Sequence, residues 1–334
     1  ARAARVISMV SVAVLGERVI DLLPGADGRY QALPGGSPAN VALGLVRLGL
    51  TPLLLARGGD DGFSALLDEA LATADLDLSG VIGAPGLAML AVCTSTLDGA
   101  MAYTFYHRDS PDLSWTTADL ELAEVLMNRS QVKAWHTGSL VSWLGSGVPA
   151  LLSSWQMAAA QGQITLSYDP NARPGAQSRD AMVTSAEQFI KSAHIVKASD
   201  EDADFMYPGQ SLDEVGNSWL ALGAQIVVLT RGSAGACAWR SRHDVIEVPG
   251  FEVPVVDTVG AGDTVSAALI AGLQHYLGAD SGSRMRELSD GQMATILTRA
   301  CAAAAITCSR AGAQPPTLAE LDQFLLAQPR EIQS

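Results

Sequence analysis

Positive charge is scarce in this chain. Lys and Arg number 21 against 35 Asp and Glu, a formal net charge of −14. An acidic surface repels phosphate backbones, and no basic stripe interrupts it, which argues against nucleic acid as a partner. A nucleoside triphosphate can still bind where backbone amides, one or two Arg and a metal supply positive potential locally. Cysteine is also sparse. Cys93, Cys237, Cys301 and Cys308 are scattered with no CxxC pair. That argues against a disulfide framework or a zinc site and fits a reducing cytoplasm. Cys301 and Cys308 share an Ala-rich segment and are expected to pack on a helix. Long apolar runs are missing too: nothing approaches the ~20 unbroken residues that cross a bilayer, so no membrane partner is expected. Residues 6–15, after Arg2 and Arg5, imitate a short signal peptide. Their Val, Ile and Ser content, and the direct passage into Gly16-Glu17 and Asp21 without a small-x-small cleavage pattern, read instead as a buried strand.

What is present is apolar and regularly punctuated. Apolar residues make up 48 % of the chain and charged residues 17 %, so it should fold. Its 334 residues suit one large α/β domain or two smaller ones. Ser37-Pro38 opens a helix: Ser37 can cap it and Pro38 suits its first turn. Val41, Leu45 and Leu48 keep helical spacing, and Gly49 stops it. Residues 51–56 read as a strand and 61–74 as a helix. Residues 87–96 and 101–106 are β-rich and flank Asp98-Gly99, a hairpin signal that suggests a small projecting sheet. Further strands then lead into polar loops at Gly138-Ser139, Asp169-Pro170-Asn171, Ser199-Asp200 and Arg231-Gly232, each followed by a helical stretch. This is the rhythm of a parallel sheet with crossover helices, whose ligands bind at the carboxyl ends of the strands. No internal repeat, low-complexity tract or long linker is present.

Two segments carry chemistry. The first runs Asp257-Thr258-Val259-Gly260-Ala261-Gly262-Asp263-Thr264. Val265, Leu269, Leu273 and Tyr276 then share one helical face, so the glycines sit at a helix N-terminus. There, backbone amides and the helix dipole favour an anion. The amides of Gly260, Ala261 and Gly262 suit a transferring phosphoryl group. Asp263, stabilised as a carboxylate, suits a base that takes a proton from a hydroxyl. Taken alone, the segment also reads as a Gly-rich turn with a capping Asp. The second segment is Gly35-Gly36-Ser37-Pro38-Ala39-Asn40-Val41-Ala42. Its Asn40, on the first turn of an otherwise apolar helix, either meets a ligand or satisfies local backbone.

In this order, the two segments resemble the signature regions of the PfkB, or ribokinase-like, carbohydrate kinases, and the likeness runs over essentially the whole chain. Neither a Walker A motif nor a protein-kinase signature is present, and no GxGxxG follows the first strand. The resemblance implies a single ribokinase-like domain over 1–334, with a central, mostly parallel sheet flanked by helices and a small β-rich lid from about 12–35 and 87–107. It implies an ATP- and Mg²⁺-dependent kinase with Asp263 as base and a small sugar as partner. Asp21, Gly35, Gly36, Asn40, Arg108, Asp169, Asn171 and Arg173 would face the sugar, and Ser199, Thr230, Gly232 and Gly235 the nucleotide. Asp257, Val259 and Gly312 would lie at a monovalent-cation site, with K⁺ the candidate. The lid could pair with a second copy.

The Asp169, Asn171, Arg173 string resembles the fructokinase branch and the 2-keto-3-deoxygluconate kinase branch, and fructose is the leading substrate. Ribose or a nucleoside follows, and a non-catalytic sugar or nucleotide sensor is the reading of another class. There are two departures. His107 is inserted in the string Phe105-Tyr106-Arg108, which displaces Arg108. Asp202 stands where the family often has a Glu that organises Mg²⁺ through water.

Overall fold

The computed structural model describes residues 12–25, 27–95, 101–278 and 281–328. Its strands, in chain order, are β1 (Val12–Leu15), β2 (Val19–Pro24), β3 (Tyr30–Gly35), β4 (Pro52–Gly58), β5 (Val81–Gly83), β6 (Met89–Ser95), β7 (Met101–Tyr106), β8 (Ala134–Gly138), β9 (Thr165–Asp169), β10 (Ile195–Ser199), β11 (Ile226–Thr230), β12 (Ala236–Arg240) and β13 (Ile246–Val248). Nine form one sheet in the order β13-β12-β11-β10-β9-β8-β1-β4-β5. Neighbours from β11 to β5 run parallel, and β12 runs antiparallel to both of its neighbours. The other four form a second sheet, β3-β2-β6-β7. This is the architecture that the strand-and-loop rhythm predicts, with one boundary moved. The small sheet begins at Val19, whereas Val12–Leu15 pairs with β4 and β8 in the large one. Every residue of that strand is buried, as a central parallel strand requires. Residues 6–11 and the Asp98-Gly99 turn lie outside the described residues. Among the described residues, no helix is long and apolar enough to cross a membrane.

Each face of the large sheet has its own core. One is aromatic: Trp135, Trp155, Tyr168 and Phe189 meet in a cluster, with Tyr168 stacked on Phe189 at a centroid distance of 5.2 Å. The other is built from small residues, which let helices approach closely. The helices Ala261–Leu277 and Asp290–Cys308 pack there beside Ser37–Arg47. A Cβ on Gly44 would stand 2.7 Å from the Cβ of Ala267, so only glycine permits this crossing. One turn above that contact lie Asn40 and Asp263. Cys301 is buried in this core and Cys308 is half-buried; all four cysteines are free.

The link from β1 to β2 is tied down by buried charge. Arg18 is 1 % exposed. Its guanidinium pairs with Asp68 and donates to the Arg57 carbonyl, while its backbone amide donates to Asp112. Glu17 accepts from the Val141 amide at 3.1 Å and from Ser139. Burial nevertheless pushes its carboxyl up to about 7, against an ordinary value of 4.5, and Asp112 rises likewise to about 6. In the window from 4.5 to about 7 the folded chain therefore binds more protons than the unfolded one. The Glu17 contribution to stability is full below 4.5 and is lost as pH rises through about 7. Glu17→Gln should flatten that slope and raise stability at pH 8 relative to wild type by up to ~3 kcal/mol. Urea unfolding of both proteins at pH 5 and pH 8 checks this, and an unchanged pH 5-to-8 difference would contradict it.

Candidate active site

The site forms where the Ala261–Leu277 helix meets the carboxyl ends of β9, β10 and β11. Gly260 caps that helix with φ +78°, and a Cβ there would stand 2.5 Å from the Cβ of Ala313. Ala261 and Gly262 follow, and Asp263 is the third helical residue, 9 % exposed. Its Oδ1 accepts from the Ser37 hydroxyl at 2.6 Å and its Oδ2 from Asn40 Nδ2 at 2.8 Å. Burial pushes the Asp263 carboxyl up; the two hydrogen bonds and Lys197 oppose that, and Asp169 adds to it. Ser37 thus does not cap its own helix. Gly36 holds the cap position and has no side chain to bond there, while the Ser37 hydroxyl donates to Asp263.

On the small sheet, Asp21 of β2 lies against Gly35, where a Cβ would stand 2.0 Å from Asp21 Oδ2. Gly36, at φ +102°, leaves no room for a Cβ beside the Glu17 carbonyl. Burial pushes Asp21 up to about 6, Arg173 opposes the shift, and Asp263 and Asp257 add to it. Asp21, Arg173, Asp257 and Asp263 are therefore close enough to share one field. Arg108 lies exposed past the end of β7.

Asp169 is turned inward, 1 % exposed. Its Oδ1 accepts from the Asn171 amide, and its Oδ2 accepts from Lys197 Nζ at 2.9 Å and Ser266 Oγ at 3.3 Å. Its carboxylate thus accepts from three protein donors. Asn171, at φ +42°, donates to Ser139 Oγ, and Arg173 donates to the Ala172 carbonyl. Asp202 is engaged in the same way. It closes a capping box with Ser199 through Oδ2, and its Oδ1 accepts from the Ala172 amide at 2.8 Å. Both of its oxygens thus accept hydrogen bonds from the chain itself. Among the described residues, no three acidic, His or Cys side chains are grouped to hold a metal.

Thr230 ends β11, and the turn Gly232–Ala234 follows, closed by the Arg231 amide donating to the Gly235 carbonyl. A Cβ on Gly235 would stand 2.1 Å from the Val248 carbonyl. Asp257 accepts from the Val259 and Gly312 amides, which brings together Asp257, Val259 and Gly312. Sequence reasoning missed Lys197 and Ser266, and missed Ser37 as a partner of Asp263. Lys197 had a signal: a lone cation within the apolar strand Ile195–Ser199 cannot stay buried unpaired.

Residues 9–320 match the pfkB family of carbohydrate kinases. The fructokinase of Escherichia coli is 32 % identical over 318 residues, covering 92 % of this chain and 97 % of that relative. The fold is similar to the fructokinase of Xylella fastidiosa solved with bound ATP, with a TM-score of 0.82 and 23 % identity over 95 % of this chain and 98 % of that one. It is also similar to a fructokinase double mutant of Vibrio cholerae O395 solved in fructose-, ADP- and potassium-ion-bound form, with a TM-score of 0.79 and 21 % identity over 95 % and 99 %. With its glycine turn, its buried aspartate and a family match over nearly the whole sequence, the chain belongs to the pfkB family of carbohydrate kinases.

Proposed function

We propose that this protein is a fructokinase: it transfers the γ-phosphoryl group of ATP to a terminal hydroxyl of free fructose, with Asp263 as general base. The observation that carries the reading is the buried Asp263 carboxylate at the N-terminus of a long helix, held by one hydrogen bond on each oxygen. In that position it can accept the proton of a hydroxyl as the oxygen attacks phosphorus. The amides of Gly260, Ala261 and Gly262 lie where negative charge develops on the transferring group. Asp21, Gly35, Gly36 and Asn40 form the sugar side, and Ser199, Thr230, Gly232 and Gly235 the nucleotide side.

Asp169 and Asn171 hold that region together from inside, and Asp202 orders the loop at Ala172. Mg²⁺ carried on the ATP phosphates supplies charge neutralisation that an acidic chain with few cations cannot. K⁺ suits the Asp257, Val259 and Gly312 segment, where backbone carbonyls are the donors. The fructokinase relatives support fructose. We read the chain as one kinase domain in which the sheet of β2, β3, β6 and β7 is the lid. Tyr30, Tyr103 and Tyr106 on that sheet are exposed, which supports a homodimer through the lid. Sedimentation as a monomer at micromolar concentration would count against the dimer.

The test is a sugar phosphorylation screen with ATP and Mg²⁺, run on wild type, Asp263→Asn and Asp257→Asn, each checked for folding by thermal melting. Wild type should turn over fructose. Asp263→Asn should lose about 10²–10⁴ in kcat, with sugar and ATP affinity kept within about tenfold. Asp257→Asn should lose less, because that side chain braces the loop at Val259 and Gly312. Turnover confined to keto-deoxy acids or nucleosides would end the fructose assignment, and near-normal kcat in Asp263→Asn would end its role as base.

A further inference from the structure

Lys197 is a buried charge beside the site that the proposed chemistry does not use. Its side chain is 5 % exposed and its ammonium lies 2.9 Å from Asp169 Oδ2. A Cβ on Gly262 would stand 2.8 Å from its Nζ, so the ammonium sits against the first turn of the catalytic helix, one residue from Asp263. The groups that face this pocket come from every neighbouring element. Asp169 comes from β9, Asp202 from the Asp200–Met206 helix, and Asp21 from β2, with Asp257 beyond it; all carry negative charge when ionised. His136 of β8 is neutral, because burial drives its ring down to about 3 and Lys197 adds to that. Ser37 and Asn40 are uncharged donors. Arg173 acts on Asp21 and donates to the Ala172 carbonyl. Of these groups, Lys197 is the cation set against the helix turn that carries Asp263.

We infer that Lys197 is a positioning residue for Asp263: its ammonium, fixed under Gly262 by Asp169, keeps the Asp263 carboxylate ionised in a setting where burial among other acids would protonate it. A buried ammonium without a partner would lose its own proton. Asp169 prevents this, and despite its burial Lys197 holds its proton more tightly than an ordinary lysine. The Asp169–Lys197 pair thus serves the base rather than the sugar. The consequence for turnover rests on Asp263 being that base, whereas the consequence for titration does not.

The experiment reads the protonation midpoint of Asp263 without turnover, from its carboxyl stretch in infrared difference spectra of each protein against its Asp263→Asn counterpart. Lys197→Met should raise the midpoint by about one pH unit or more, the size of an opposite-charge effect at short range. Lys197→Gln, which removes the charge but keeps a donor for Asp169, should raise it likewise, and Lys197→Arg should hold it near the wild-type value. Under turnover, the acid limb of the kcat–pH profile should move with the midpoint. If Lys197→Met does not fold, Lys197→Gln decides by the same rise, and Lys197→Arg by its constancy. A midpoint unmoved in Lys197→Met or in Lys197→Gln overturns the inference and leaves the pair a structural bridge. A wild type that phosphorylates no sugar would defeat the kinase reading, while the infrared midpoints would still decide the role of Lys197.

Discussion

A carboxylate that must stay charged while it is nine-tenths buried is the constraint around which this molecule is arranged. Moving an ionised carboxyl out of water costs several kcal/mol unless hydrogen bonds and opposite charge replace the lost hydration. For Asp263 the replacements come from distant parts of the chain. Ser37 and Asn40 lie more than 220 residues away in sequence. They reach the carboxylate only because the Ser37–Arg47 helix packs closely on the Ala261–Leu277 helix, and Gly44 facing Ala267 permits that approach one turn below. The small-residue core on this face of the sheet is therefore a functional requirement as well as a packing solution. The aromatic core on the opposite face supplies bulk burial without that demand.

The acidic composition makes the same point at larger scale. With a net charge of −14, the chain has little spare cation to hold phosphates or stabilise its own buried acids. The cations it has are placed one by one. Arg18 anchors the link between the two sheets, Arg173 faces Asp21, and Lys197 sits beneath the helix turn of Asp263. Glycine amides at Gly260 and Gly262 supply positive potential with no side chain at all.

Much of this was legible in the sequence. The alternation of strand, polar loop and helix follows from local periodicity, and the glycines at 260 and 262 announce a helix N-terminus whatever surrounds them. Gly35 and Gly36 were also visible, although the steric reason for them, the Asp21 carboxylate and the Glu17 carbonyl, was not. What stayed hidden depends on pairing across the fold. A local rule assigns the Ser37 hydroxyl to its own helix, and only the tertiary packing redirects it to Asp263. Asp169 and Asp202 look like ligand residues in a linear string, yet both are satisfied from inside by Lys197, Ser266 and backbone amides. The first strand was legible as a strand, but its sheet was not, because pairing with β4 and β8 is set by long-range register.

The central claim is that Asp263 meets the reacting hydroxyl at the amino end of its helix. The most direct measurement is a crystal structure of the wild-type protein with fructose and a non-hydrolysable ATP analogue bound together. The account predicts a terminal sugar hydroxyl within hydrogen-bond reach of an Asp263 oxygen, about 2.6–3.2 Å, in line with a γ-phosphoryl group resting on the amides of residues 260–262. A sugar bound with its hydroxyls turned to another carboxylate, or a nucleotide whose phosphates avoid that helix terminus, would contradict it.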